Sequence, residues 1–565
     1  MRMSTDEDRD EQLAPETIAA AATAGVTVFD TARAYGRGEA ELGHNERLLA
    51  SALRRCGAEA SARIVTKGGM TRPGGAWVPD GRARSIRADC EASLAALDGL
   101  PIDLYLLHAP DPRTPWRTSV RALARLADEG LVRRVGVSNV NRSQLDEALE
   151  LAPLSAVQVS LSVHDERALR GGVLERCEEA EIALIAHSPL GGVRRAGRLR
   201  RHAVLAEIAD AHGATPAEVA LAWLLSLSPA VVAIPGARRP ETARSAARAA
   251  TLRLDEAGGW DRRWQMADRR SGDRRSAIRD PLAGEVVLVM GIPGAGKARL
   301  AGEYVGRGYA RLNRDELGGS LRELANVLDE QLAAGARRVV VDSTFLTRAA
   351  RSYLIEAARG HGLSARCVWI DTPLAQAQVN MVERLLDRFG ALPTPEELRE
   401  LARREPGLLA PTSQMRALRE LEPPTDDEGW DGVERVPFSR ARSLASGAGV
   451  VVAAAALAQA GWREALLAAD RAAPHLVYDW SPGGTVDALA TAVAEVAAEV
   501  SGPVEAGLCP HPAGPPTCWC RPPLPGLPLA FARTHELDPA RSTLIGSRPA
   551  HRTLAATLGA RYVEV

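Results

Sequence analysis

The chain has almost no lysine. Of its 70 lysines and arginines, only Lys67 and Lys297 are lysine, and arginine serves wherever else a positive charge is wanted. Net charge is missing too. At −1 overall, bulk electrostatics draw the chain to neither nucleic acid nor a membrane, although local basic patches stay open. Long apolar runs are absent: the longest, VVVAAAALA over 450–458, is too short to cross a bilayer. The N-terminal MRMSTDEDRDEQL is charged and lacks the apolar stretch of a secretion signal. Cysteines number seven, three of them between Cys509 and Cys520, which is not the pattern of a disulfide framework. These absences together predict a cytoplasmic protein.

What is present predicts several folded bodies. A chain of 565 residues exceeds one core and suggests roughly three domains. Its 46% hydrophobic and 25% charged residues can give each a proper interior. The Arg/Asp-rich stretch 256–282 has no hydrophobic periodicity and reads as a linker. A second break falls in ELEPPTDDEGWDG, 420–432. The expected domains are therefore 1–255, 283–440 and 445–565.

Over 1–255, short apolar segments such as VTVFD, ARIVTK, IDLYLLH and RRVGVSN alternate with amphipathic helical stretches. That alternation predicts parallel strands with crossover helices, hence a (β/α)8 TIM barrel. Seven strands are legible rather than eight. Polar residues stand at the strand C-terminal ends, where such a barrel places its chemistry. Asp30 ends the first strand, Lys67 the second and His108 the third. Ser138 and Asn139 end the fourth, and Tyr35 follows Asp30 within a turn.

The ordered pieces GVTVFDTARAYG, IVTKGG, DLYLLH, GVSN, VQ, HSPLGG and IPGARRPE resemble the aldo-keto reductases. The resemblance implies NADP(H)-dependent reduction of a small carbonyl substrate, with Tyr35 as general acid. Tyrosine is a poor acid near neutrality, so the Lys67 ammonium is expected to lower its pKa, with Asp30 holding Lys67. His108 would orient the carbonyl oxygen. Ser138, Asn139 and Gln158 match the residues that bond the nicotinamide amide. His187 stands where many members stack an aromatic ring, and Ser188 and Leu190 match the pyrophosphate loop. Arg238 and Arg239 would clamp a 2′-phosphate. Family members also carry a strand before the Asp30 strand. Helix-like sequence precedes it here, so the barrel is expected to be open on one side or the start codon to be misplaced.

The second lysine sits in a different motif. EVVLVM, then GIPGAGK with Gly291, Gly294, Gly296 and Lys297, then an amphipathic helix, form the strand–loop–helix setting of a phosphate loop. With YARLNRDELGGSL, RRVVVDSTFLTRAAR and AQVNMVERLLDR, it resembles the kinase module of polynucleotide kinases. That resemblance implies ATP with Mg2+ and Asp315 as the base. It makes Asp342 the second acidic group near the metal, and Arg384 and Arg388 lid residues. Ala298 replaces the hydroxyl that ligates Mg2+, and water can fill that place, so weakened metal binding is expected.

In the last segment, Cys509, His511, Cys518 and Cys520 supply four soft ligands within twelve residues, a set suited to Zn2+. The stretch resembles the zinc-bearing phosphatases of the haloacid dehalogenase (HAD) superfamily, which implies a HAD-like Rossmannoid domain. The first strand carries alanine where those enzymes need a nucleophilic aspartate, Pro522 replaces their lysine, and Ser547 and His551 stand at their acidic positions. Alanine cannot act as a nucleophile, so no phosphatase activity is expected.

The leading expectation is a multifunctional reductase with a kinase-like domain acting on 5′-hydroxyl RNA or DNA ends. The alternatives are a non-catalytic NADP(H)/ATP sensor or scaffold, and a kinase of small alcohols.

Overall fold

A computed structural model describes residues 2–254, 284–405, 407–438 and 445–565. The expected linker over 256–282 lies outside them. The chain forms two compact units, Met1–Ala277 and Ile278–Val565.

In the first unit, seven strands form one parallel sheet. They are β1 (Val28–Asp30), β2 (Arg63–Gly68), β5 (Leu104–Leu107), β6 (Val135–Ser138), β7 (Leu154–Ser160), β8 (Ala183–His187) and β9 (Val231–Ala233), adjacent in that order. A small antiparallel hairpin, β3 (Met70–Thr71) with β4 (Val78–Pro79), follows β2. The strands are short runs buried on both faces, as a sheet wrapped in helices requires. In β5, Tyr105 and Leu107 join the core under the helices, while Leu104 and Leu106 pack inside the curled sheet with Val65, Ala156 and Ile185. Gly136 is required where β6 meets β7, because a Cβ there would lie 2.3 Å from the Ala156 carbonyl oxygen. A helix, Leu13–Thr23, and not a strand, leads into β1, and it packs on the helices His44–Arg55 and Pro240–Arg248. The sheet therefore ends on β1 at one side and β9 at the other.

The second unit holds two five-stranded parallel sheets. The first contains β10 (Glu285–Met290), β11 (Ala310–Asn313), β12 (Arg338–Asp342), β13 (Ser364–Asp371) and β14 (Gly432–Pro437), in the order β11-β12-β10-β13-β14. Alternate residues of β10 feed separate cores, Val286, Leu288 and Met290 on one face, Val287 and Val289 on the other. The second sheet contains β15 (Val450–Ala453), β16 (His475–Trp480), β17 (Val504–Cys509), β18 (Thr543–Gly546) and β19 (Arg561–Glu564), in the order β17-β16-β15-β18-β19. The two lobes share apolar packing. Val382, Leu385 and Leu386 of the helix Leu374–Phe389 belong to the same core as Val451, Trp519 and Phe531. Among the described residues, no helix is long and apolar enough to cross a membrane.

Candidate functional site

Strand register brings the first cluster together. The Lys67 ammonium donates to both Asp30 carboxylate oxygens at 2.7 Å, to the Thr31 carbonyl at 2.8 Å and to the Tyr35 hydroxyl at 3.3 Å. Lys67 is only 1% exposed. Burial alone would lower its pKa, but Asp30 and Tyr35 outweigh that and raise it, so it stays charged. A guanidinium could not place one compact charge against two carboxylate oxygens, a carbonyl and a phenol at once. This is the physical reason for lysine here.

The Tyr35 phenol departs from expectation. The ammonium does pull its pKa down, but burial pushes it up by more and Asp30 adds to the rise, so the net shift is upward. The Lys67 charge is largely cancelled by Asp30, and the phenol keeps its proton. That suits an acid that must give a proton only when charge develops on the substrate oxygen.

The His108 ring lies 5.8 Å from that of Tyr35. Burial, assisted by Lys67, holds its pKa down to about 3, so the imidazole is neutral. Among the described residues, its Nδ1 is buried without a hydrogen-bond partner. A proton stranded there would be costly, so it belongs on Nε2, which can donate to a carbonyl oxygen. Neither His108 nor Tyr35 changes charge between them over the middle range. Carbonyl reduction is therefore expected to hold one level of kcat/KM from about pH 5 to pH 9. A bend near the ordinary histidine value of 6.5 would show His108 titrating and overturn this assignment.

Around this cluster lie the other predicted residues. The Gln158 amide N–H donates to Asp30 at 2.8 Å, leaving its carbonyl as the acceptor for an incoming amide. Asn139 donates to the His108 carbonyl at 2.9 Å and to Ser138 Oγ at 3.2 Å. His187 Nε2 lies 3.1 Å from Asn139 Oδ1, which can only accept, so the proton is on Nε2. Burial holds His187 neutral, with its pKa down at about 4. Asn139 and Ser188, both at strand ends, take the left-handed backbone with φ of 57° and 53°. Strain of this kind persists where surrounding structure needs the loop so placed. Leu190 packs against the small core of Leu199 and Leu205. Arg239 is exposed at the N-terminus of the helix Pro240–Arg248, a position suited to an anion. Arg238 is instead paired with Asp6 at 3.2 Å and Asp8 at 3.3 Å.

Trp77 was not legible as a site residue. Its ring lies 6.2 Å from Tyr35 and 5.9 Å from His108, and the Arg72 guanidinium stacks on it at 3.8 Å. The only hint in the sequence is its place some ten residues beyond Lys67, in the connection between β3 and β4.

In the second unit, the row Asn313–Asp342–Val289 across β11, β12 and β10 sets the acidic residues beside the phosphate loop. The loop is held from behind. Side-chain N–H and O–H groups of Gln414, Asn380 and Thr372 donate to the carbonyls of Pro293 at 2.9 Å, Gly294 at 2.7 Å and Ala295 at 3.2 Å. Carbonyls tied outward leave backbone N–H groups to face an anion. Gly294 is needed for this, since with φ of 86° a Cβ there would sit 2.4 Å from the Ala377 carbonyl. Gly296, with φ of 90°, caps the helix Lys297–Gly306, and Gly291 follows β10 directly. The Lys297 ammonium spans the loop, donating to the Gly291 and Ile292 carbonyls at 3.1 Å each. Burial lowers its pKa to about 8, opposed by Asp342 and Asp315 and assisted by Arg384. Arg384 donates to the Gly407 carbonyl at 3.4 Å, and Arg388 pairs with Glu405 at 2.6 Å.

This donor set gives a magnesium ion weakened support. Residue 298 has no hydroxyl, and one oxygen of buried Asp342 already accepts from Arg311 at 2.6 Å and Asn313 at 2.9 Å. The four soft ligands do suit zinc. The Cys509 sulfur lies 3.7 Å from that of Cys518 and 3.5 Å from His511 Nδ1, which is 3.2 Å from the Cys520 sulfur. Ligands of a tetrahedral zinc stand about 3.5–3.8 Å apart. Of the residues at the acidic positions, Ser547 donates its backbone N–H to His551 Nδ1 at 3.1 Å.

Residues 286–407 match an AAA domain, and residues 1–258 match the aldo/keto reductase family. A probable aldo-keto reductase of Glycine max is 31% identical over 40% of this chain and 71% of its own length. An oxidoreductase of Schizosaccharomyces pombe is 30% identical over 44% of this chain and 78% of its own. The crystal structure of a Klebsiella pneumoniae aldo/keto reductase in complex with NADP and acetate is 26% identical, covering 46% of this chain and 85% of that one, with a TM-score of 0.38. On its likeness to the Glycine max and Schizosaccharomyces pombe proteins, carried by its N-terminal unit, the chain belongs to the aldo/keto reductase family.

Proposed function

We propose that the first unit reduces a small aldehyde or ketone with NADP(H). The observation that carries this reading is Lys67 bonded at once to Asp30 and Tyr35 beneath a neutral His108. Bound NADPH would supply the hydride. Tyr35 gives its phenolic proton to the carbonyl oxygen, Lys67 steadies the phenolate left behind, and neutral His108 donates a hydrogen bond to the same oxygen. Ser138, Asn139 and Gln158 suit the nicotinamide amide, His187 its ring, Ser188 and Leu190 the pyrophosphate, and Arg239 a 2′-phosphate. Oxidation of NADPH by a panel of short and aromatic aldehydes tests the reading. No turnover with any of them, by a chain that binds NADPH, would sink it.

The central lobe, 283–440, is read as an ATP-binding domain that phosphorylates a hydroxyl. Asp315 takes the hydroxyl proton, the oxygen attacks the γ-phosphorus and ADP leaves. The HAD-like lobe, 445–565, is read as non-catalytic and held by Zn2+ on Cys509, His511, Cys518 and Cys520. A second reading, a nucleotide sensor without turnover, is favoured by Ala298 and by the engagement of Asp342 with Arg311. Labelled ATP, offered with a 5′-hydroxyl oligonucleotide and with small alcohols, separates these. Transfer that is lost in Lys297→Ala marks a kinase, and the labelled acceptor names its class. Transfer only after Ala298→Ser marks a disabled kinase and favours the sensor.

A further inference from the structure

The phosphate loop is held by side chains whose own elements are packed into the neighbouring lobe. Asn380, which ties the Gly294 carbonyl at 2.7 Å, sits on the helix Leu374–Phe389. That helix buries Val379, Val382, Leu385 and Leu386 in the core shared with Trp519 and Phe531. Its Gln376 also donates to the Thr557 carbonyl at 3.3 Å. Gln414 ties the carbonyls of Pro293 and Ala377 at 2.9 Å each, from the helix Pro411–Glu420. The chain enters that helix through Leu408, Leu409 and Ala410, which pack in the same shared core.

One hydrogen bond joins this approach to the Cys/His cluster. The Trp519 indole N–H donates to the Leu409 carbonyl at 3.1 Å. Trp519 lies between Cys518 and Cys520 in the chain and is 1% exposed. Its own carbonyl accepts from the Gly526 N–H at 3.1 Å, and a Cβ on Gly526 would lie 2.4 Å from that oxygen. The helix Gly526–Thr534 thus fixes Trp519 on one side. On the other side its place is set by Cys518 and Cys520. The stretch from Leu409 to Gln414 is therefore a short bridge, with the indole at one end and the phosphate loop at the other. Packed cores shift between discrete arrangements rather than stretch. With the four ligands drawn together, Trp519 keeps its seat and the loop carbonyls stay turned away from an anion. With the ligands apart, the bridge loses its outer anchor.

We propose that the Cys/His cluster is a regulatory metal site for the central lobe. Zinc held there sets nucleotide affinity through Trp519 and Gln414, which act as positioning residues. The proposal rests on the nucleotide-binding reading of the central lobe and the zinc reading of the last one. It is independent of whether phosphate is then transferred. Because such coupling is reciprocal, bound nucleotide must tighten zinc by the same factor.

The test is ATP affinity of the full chain by calorimetry at constant Mg2+, with zinc bound and after its removal by a zinc-selective chelator. It is run at a temperature where the zinc-free chain keeps its near-UV circular dichroism. Zinc removal is expected to weaken ATP binding by about tenfold, within the usual range of coupling between two sites. Trp519→Phe keeps a ring in the core and removes the N–H. With zinc still bound by metal analysis, it is expected to lose about three- to tenfold in ATP affinity, the worth of one hydrogen bond. Removing zinc from this variant should then cost less than it does in the natural chain, since the link is already cut. ATP affinity that stays within about threefold once zinc is gone would overturn the proposal and leave the nucleotide site standing. A zinc effect undiminished in Trp519→Phe would overturn it as well. Absence of zinc by metal analysis would remove the regulator, and the proposal with it. ATP binding that is absent with zinc present, or unchanged in Lys297→Ala, would remove the nucleotide reading on which the proposal stands.

Discussion

Tyr35→Phe is expected to lower the turnover of carbonyl reduction by about 10²–10⁴-fold, the usual worth of a positioned general acid. NADPH affinity should stay unchanged, since the phenol faces the substrate oxygen. The change removes one hydroxyl from a site where Lys67 keeps three other bonds, to both Asp30 oxygens and to Thr31. The fold should therefore survive. Lys67→Met should match the loss of turnover and add a second effect. It leaves the carboxylate of Asp30, whose side chain is 9% exposed, with Gln158 as its neutral partner. An uncompensated buried charge costs about 3–5 kcal/mol. Stopped-flow measurement of NADPH oxidation and a denaturant melt on each variant check both parts. Full activity in Tyr35→Phe would remove Tyr35 as the acid.

The second large effect is expected from zinc. Metal analysis should find one zinc per chain, and Cys518→Ser should lose it. Removal should lower the melting transition of the second unit by about 10 °C or more, because the binding energy of a structural zinc is folding energy and each kcal/mol is worth about 2–4 °C for a unit of this size. The reason is local. Trp519 lies between two of the ligands, is 1% exposed, and donates to the Leu409 carbonyl at 3.1 Å. The Trp480 indole holds the His511 carbonyl at 2.8 Å. A loop with few regular hydrogen bonds depends on its metal to keep Trp519 in the shared core. Differential scanning calorimetry with and without a chelator would show this. An unchanged melt, with zinc demonstrably removed, would mean the four ligands are not structural.

Asp30, Tyr35, Lys67 and His108 were legible because each stands at or just after the end of an apolar strand, and strand periodicity is a local property of the chain. The phosphate loop and the Cys/His cluster were legible for the same reason, since their spacing is set within a dozen residues. Even the count of seven strands could be read along the chain. Other features depend on which strands become neighbours. Arg311 reaches Asp342 only because β11 lies beside β12 in one register. The carbonyls of the phosphate loop are tied outward by Thr372, Asn380 and Gln414, the last of them 121 residues beyond Pro293. Burial, which no single residue announces, reversed the expected shift of Tyr35. The chain therefore names its chemistry locally, at strand ends and in short loops. Charge states, the cation beside Asp342 and the packing between the two lobes of the second unit come from long-range pairing and desolvation, which exist only once the sheets have formed.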